Sequence, residues 1–415
     1  MTDLTLVIGA GAAGIAAGRS LHDAGAPVLL IEASNRLGGR AHSVRVELPS
    51  GKVALDHGCG YLHSARRNPW TAIAEANGFH VDRTDPGWDR QWRDLGYPPA
   101  DQQAFHEAYD RFDRAARAAK DGPDRLMSSF VSADDPHRPM LDAVSGYYSG
   151  ASLDRVSLHD WAAYEADATD DNWVVREGYG TLVARHAAGV PMRLSTPATR
   201  IDHRGHVIRV ETPAGTIEAA RVIVAVPTTV LAGGDIAFDP PLPVKQDAAA
   251  ALPLGLADKC FFSVEGAVPW PADAHLTGNP RSAMTASYRL SPFGRPVIEM
   301  FHGVLAAEAL NVEGAAAAFG TDELVALLGS DFRRRLRPLG ATRWREERWA
   351  RGSYSYALTG QAGARAVLST PVDERLFFVG EACSPRDFTT AHGAYETGVA
   401  AADAVLRSVR RPRAG

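Results

Sequence analysis

The hydrophobic pattern is sharpest over the first 32 residues. A short apolar run, Leu4-Thr5-Leu6-Val7-Ile8, leads into glycines at 9, 11 and 14, an alanine-rich stretch with helical spacing, and a second apolar run, Val28 to Ile31, that ends on Glu32. Unbroken apolar runs of this length predict strands covered on both faces, so the stretch predicts strand, tight turn, helix and parallel strand. Each glycine has a mechanical reason. Gly9 allows the turn, Gly11 lets the backbone approach a pyrophosphate, and Gly14 lets the helix lie close on the strand, while the helix start offers unpaired N–H groups to phosphate. Glu32, at the tip of the second strand, is placed to take a ribose hydroxyl.

Further along, Asn35 to Arg40 holds a Gly-Gly bend (Gly38, Gly39) flanked by Arg36 and Arg40, whose guanidinium groups are suited to phosphate. From Trp88 to Asp171 the pattern turns helical, with Phe105, Tyr109 and Phe112 separated by charges. A glycine pair at 178 and 180 opens a helix predicted over 181–188. Short strands follow over 198–203, 206–211 and 216–219, with Pro213-Ala214-Gly215 as the hairpin turn between the last two, and then a buried strand over 221–226. After Pro240 come a helix, a strand over 258–264, further strands and one helix over 322–336. Arg375 to Glu381 predicts a strand closing on Gly380-Glu381, followed by a long helix over 391–409. The pattern predicts an α/β fold in which a Rossmann-like dinucleotide unit (1–87, 178–245 and 341–415) is interleaved with a substrate part, helical over 88–177 and mixed sheet plus helix over 246–340. Only one complete G-x-G-x-x-G is present, which predicts one dinucleotide site.

Composition narrows the function by exclusion. With 415 residues, a net charge of -5 and 22% charged residues, the chain has no basic field for nucleic acid. Cys59, Cys260 and Cys383 are scattered and form no C-x-x-C pair, so neither a disulfide framework nor a metal site is expected, and a reducing compartment fits. The first strand begins by Leu4, which leaves no room for a charged n-region and apolar h-region, and no apolar run reaches the ~18 residues of a membrane span. A cytoplasmic protein without a membrane anchor is therefore expected. The Arg-rich end, Arg410 to Gly415, is expected to be a frayed terminus. The oligomeric state stays open, a homodimer included.

Taken in order, these segments resemble the flavin-containing amine oxidases, the family of monoamine oxidase and polyamine oxidase. Gly9, Gly11, Gly14 and Glu32 are similar to its FAD fingerprint, Arg36 to Arg40 (with Gly39) to its Leu-Gly-Gly-Arg segment, and Asp56-His57-Gly58 to the Asp-x-Gly that follows. Gly178 to Gly180 resembles the start of its central helix, Gly380-Glu381 its closing FAD-contact segment, and Gly393 to Ala401 the helix presented to the flavin. The resemblance implies FAD as cofactor. It also implies that Lys259, after Pro253-Leu254-Gly255, holds a water near flavin N5, that Trp344 lies against the flavin, and that Tyr354 in Gly352-Ser353-Tyr354 lines the substrate cage. On the residues alone, Lys259, Phe261 and Ser263 share one face of their strand and Cys260, Phe262 and Val264 the other, so a lysine there is either solvated or functional.

The departures carry information too. Monoamine oxidases attach their flavin to a cysteine where this chain has Ser353, so the resemblance implies non-covalent FAD here. Thr390 stands where they have the second tyrosine, which leaves the cage half aromatic. Tyr61 stands where amino-acid oxidases have a carboxylate-binding arginine, which argues against a free amino acid, and His63 matches an active-site histidine of some polyamine oxidases. Tyr147 and Tyr148 are candidates for the entrance. The implied activity is oxidation of a small-molecule amine, with hydride loss from the carbon beside nitrogen, imine hydrolysis, and dioxygen reduced to hydrogen peroxide. The alternatives are a desaturase-type or protoporphyrinogen oxidase-type flavoenzyme and a flavin-binding protein without turnover.

Overall fold

The computed structural model describes residues 2–49 and 51–410; the Arg-rich tail from 411 onward lies outside the described residues. A five-stranded parallel sheet forms the frame, in the order Leu376–Phe378, Arg221–Val224, Thr5–Ile8, Val28–Ile31, Met192–Arg193. Its strands come from the beginning, middle and end of the chain. They are apolar throughout because both faces are covered: Val7, Leu30, Ile223 and Phe377 pack into one core, and Leu6, Ile8, Val222, Val224 and Phe378 into another. The glycine-turn helix Ala12–Asp23 and the final helix Ala391–Arg410 lie together on the first of these faces. They approach so closely that a Cβ at Gly398 would collide with the carbonyl oxygen of Ala13.

A second, antiparallel sheet runs Ala274–Thr277, Ser287–Leu290, Val297–Gly303, Ala257–Val264, Leu336–Ala341. The predicted alternation is seen in it. Cys260, Phe262 and Val264 join Leu276, Tyr288 and Met300 in a core under helix Ala315–Leu328, while Lys259 and Phe261 belong to the opposite face. The helix expected over 322–336 is corrected. It starts seven residues earlier, at the alanine run Ala315 to Ala318, and ends before Gly329, whose φ of 103° terminates it. Phe332–Arg335 is a separate turn, and Leu336 already opens a strand. An all-alanine first turn has high helix propensity but no amphipathic signal, which hid the true start.

The 88–171 stretch is helical, as read, in Pro99–Ala119, Arg138–Ser149 and Leu158–Glu165. Helix Arg138–Ser149 sits on the lysine face of the antiparallel sheet, where Gly146 and Gly303 meet backbone to backbone. A buried ion pair ties this insertion to the frame: Arg365 Nε and Nη2 donate to Asp160 at 2.8 and 2.9 Å, with both side chains 3% exposed. Among the described residues, no helix is long and apolar enough to cross a membrane.

Candidate active site

One cavity of about 900 Å³ runs from the glycine turn of the parallel sheet to the lysine face of the antiparallel sheet. Its dinucleotide end is built from backbone. Gly9 has a φ of 104°, and a Cβ at Gly14 would collide with its carbonyl oxygen. Gly11 caps the helix, and a Cβ there would meet no protein atom, so the helix start is open to a ligand. Glu32 is buried and held by N–H donors of Ala10 and Ser34, each at 2.7 Å. A Cβ at Gly58 would run into the carbonyl of Arg40, and Gly38 and Gly39 both have positive φ. Arg36 donates to Gly39 O at 2.6 Å and Arg40 to Ser353 O at 2.6 Å, and both line the cavity. Open N–H groups, two arginines and an acid at the ribose position fit a dinucleotide.

Asp56 and Glu381 play supporting parts in this cradle. The carboxylate of Asp56 accepts from the N–H groups of Tyr179 and Gly180 at 3.0 and 3.2 Å, which pins the start of helix Tyr179–His186. Glu381 accepts from Arg40 (3.0 Å), from the N–H and hydroxyl of Ser355 (3.2 and 2.7 Å) and from Thr389 N–H (2.9 Å). Burial pushes its carboxyl up, but Arg40 and Arg365 outweigh this and hold it below the usual range. Its side chain is thus committed to the protein, bracketing Arg40 and the 353–355 segment.

At the other end, Lys259 is buried and its ammonium lies 2.6 Å from Glu299. Burial pulls its pKa down, yet Glu299 and Asp56 more than offset that, so it stays charged. The backbone around it is fixed by one hydroxyl: Lys259 N–H donates to Thr342 Oγ1 at 2.8 Å, and that hydroxyl donates to Asp258 at 2.6 Å. Asp258 also accepts from Trp344 N–H at 3.0 Å, so lysine and tryptophan are positioned from a single junction. Trp344 Nε1 donates to His57 O at 3.3 Å, and Trp344, Lys259 and Tyr354 all line the cavity.

Tyr354 donates its hydroxyl to Tyr147 O, and Tyr147 packs against Phe301 with ring centroids 5.5 Å apart. A second aromatic group contains Tyr61 and Trp88, 4.9 Å apart, with His63 beside them. His63 is hydrogen-bonded to Asn172 at 2.7 Å, and burial pulls its pKa to about 4, so it is neutral near neutrality. Tyr147 and Tyr148 both line the cavity, so the wall is more aromatic than the Thr390 position alone suggests. Thr390 is buried, its hydroxyl accepting from Gly393 N–H at 3.0 Å. Ser353 sits buried with its hydroxyl unpartnered. Every residue expected at the site from sequence lines the cavity except Gly14, which shapes the turn behind it.

Glu299, Asp258 and Arg289 were not singled out by sequence. Glu299 and Arg289 meet the cavity only through strand register, Arg289 pairing with Glu299 and Lys259 with Phe301. A dyad alternation in Val297–Gly303 was the available signal. No cluster of residues suited to a metal ion is present among the described residues.

Comparison with known proteins agrees with this geometry. The sequence profile of the family described as flavin containing amine oxidoreductase matches residues 130–406, and that of the NAD(P)-binding Rossmann-like domain matches residues 7–76. Polyamine oxidase 2 of Arabidopsis thaliana is 29% identical over 96% of this chain and 87% of its own length. Polyamine oxidase 4 of Oryza sativa subsp. japonica is 27% identical with coverages of 96% and 87%. Lysine-specific histone demethylase 2 of Homo sapiens is 26% identical over 95% of this chain but 52% of its own length. The chain thus spans about half the length of that demethylase.

Proposed function

Because this chain belongs to the flavin-containing amine oxidoreductase family and takes FAD in its Rossmann-like unit, we propose that it is an FAD-dependent amine oxidase. The observation that carries this reading is the charged, buried Lys259 at the far end of the same cavity as the glycine turn, beside Trp344 and Tyr354. FAD, when bound, supplies the acceptor for a hydride equivalent and passes two electrons on to dioxygen.

The chain's own residues do the rest. Trp344 and Tyr354 wall the space beside the reacting carbon, exclude water and orient the amine. Lys259 places a fixed positive charge and holds a water where reduced oxygen gathers negative charge. His63, being neutral, shapes the wall as a hydrogen-bonding group and brings no charge. In the net reaction the substrate loses a hydride from the carbon and a proton from nitrogen, water cleaves the resulting imine to a carbonyl compound and an amine or ammonia, and dioxygen leaves as hydrogen peroxide. A lone pair on nitrogen is needed, so the neutral amine reacts and the rate of the reductive half-reaction should rise with pH through the substrate's apparent ionisation.

Anaerobic mixing with a panel of primary, secondary and polyamine substrates tests the reading through bleaching of the flavin, followed by peroxide release when air is admitted. Absence of bleaching by every amine would leave the desaturase-type or non-catalytic reading in its place. FAD is proposed to be non-covalent, since Ser353 cannot form a thioether; yellow colour remaining with acid-precipitated protein would contradict this.

A further inference from the structure

The cavity wall at the substrate end differs from what a polycationic amine requires. Lys259 and Arg289 both line it. Their nearest carboxylates are already committed: Glu299 to Lys259 at 2.6 Å, and Asp273 to Arg289 Nε at 2.9 Å. Towards the mouth, Asp85 and Asp89 are exposed and lie 2.6 and 3.7 Å from Arg90. Asp170, exposed at the rim, is a single further carboxylate. A substrate with several ammonium groups would therefore find both wall cations already paired and no uncommitted acid on the inner wall. Each of its buried charges would be left without a partner.

What the wall does offer is a polar floor between aromatic sides. Across the antiparallel sheet, register places Thr277, Ser287, Phe301 and Lys259 in one row, and His275, Arg289 and Glu299 in the row beside it. Tyr61 lies under the Arg289 guanidinium, 5.8 Å from ring centroid to Cζ, with Trp88 against Tyr61. Tyr147 and Tyr354 supply aromatic surface on the Phe301 side. Asp273 holds Arg289 through Nε and Nη2, so among the described residues Nη1 has no protein acceptor. The strands of Lys259 and Arg289 are two apart, a separation of about 10 Å. The sequence places Tyr61 where an arginine clamp would stand in amino-acid oxidases; the fold brings an arginine over that tyrosine from a different element. Because Asp273 and Glu299 already neutralise the local charge, Arg289 suits an uncharged acceptor such as an amide carbonyl better than a carboxylate.

Resting on the amine-oxidase reading above, we propose that the substrate is a monoamine with a flat aromatic body and an uncharged hydrogen-bond acceptor at its far end, read by Arg289, and that polyamines are excluded because the inner wall holds no uncommitted acid to pair their further ammonium groups. The test compares anaerobic flavin reduction of the purified holoprotein by phenethylamine, 4-(2-aminoethyl)benzamide and spermidine. The benzamide is expected to reduce the flavin with a second-order rate constant about tenfold above phenethylamine, the effect of one hydrogen bond to a charged donor. Spermidine is expected to fall below both. Binding of the unreactive 4-ethylbenzamide, followed by thermal shift and by perturbation of the flavin spectrum, provides a readout separate from turnover; Arg289→Met should weaken it about tenfold. Spermidine outpacing both aryl amines, or a benzamide no better than phenethylamine, would overturn the proposal while leaving amine oxidation standing. No bleaching by any of the three, nor by the wider amine panel, would overturn both.

Discussion

The two ends of the cavity are built in different ways. The dinucleotide end is shaped by backbone: glycines at 9, 14, 38 and 58 let main chain approach main chain where a Cβ would collide, and the ligand face is a helix start. The opposite end is shaped by side chains from four separate stretches, Lys259, Glu299, Trp344 and Tyr354, held together by cross-strand register and a few buried hydrogen bonds. A backbone-built site tolerates almost no substitution but says little about chemistry. A side-chain-built site should retain its cofactor when altered and change in what it does.

Substitutions can break or sharpen that contrast. The largest effect is expected from Gly14→Val, which forces a side chain into the carbonyl of Gly9; protein recovered from such a variant should carry no FAD by its visible spectrum. Lys259→Met should keep a full complement of FAD yet lower oxidative turnover about a hundredfold, as removal of one preorganised charge does elsewhere; unchanged peroxide production would remove Lys259 from the reaction. Between the ends, Asp160→Ala leaves the buried Arg365 without its ion-pair partner, and should destabilise the protein by about 3 kcal/mol in a denaturant titration. A graded effect is expected from pH. Burial holds His57, His63, His275 and His302 near 4, below their usual range, so the unfolded chain binds more protons between about pH 6.5 and 4. Their contribution is complete above 6.5 and is lost as pH falls through that window, which a melting-temperature series would register. The smallest change is expected at Ser353→Ala, whose hydroxyl has no partner to lose; its stability should stay within about 0.5 kcal/mol.

The same contrast explains what was legible in the sequence. Glycine spacing and apolar runs are local signals, so the turn, the parallel strands and Glu32 could be read directly. Strand alternation put Lys259 on the face opposite Cys260 and Phe262 but left it either solvated or functional, and its role came only from the resemblance to the amine oxidases. Its partner Glu299 was not legible, because pairing across strands depends on register that a single strand does not encode. Arg289 escaped for the same reason. The misplaced helix over 322–336 shows the limit from the other side, since the alanines that start it carry propensity without periodicity.

Thr390 gives the open side of the aromatic wall a mechanical cause. Its hydroxyl accepts the N–H of Gly393 and donates to Asp387 O at 2.6 Å, fastening the first turn of the 20-residue helix Ala391–Arg410 that lies on the glycine-turn helix. A tyrosine at this position could not reach those backbone groups, so the helix would lose its N-cap, at a cost of about 1 kcal/mol. Converting this wall to a closed pair of aromatic rings is therefore not a one-residue exchange. It would need a new fastening for the helix first, and attempts to redesign substrate choice here would do better to start from the sheet floor, at Thr277, which carries no such duty.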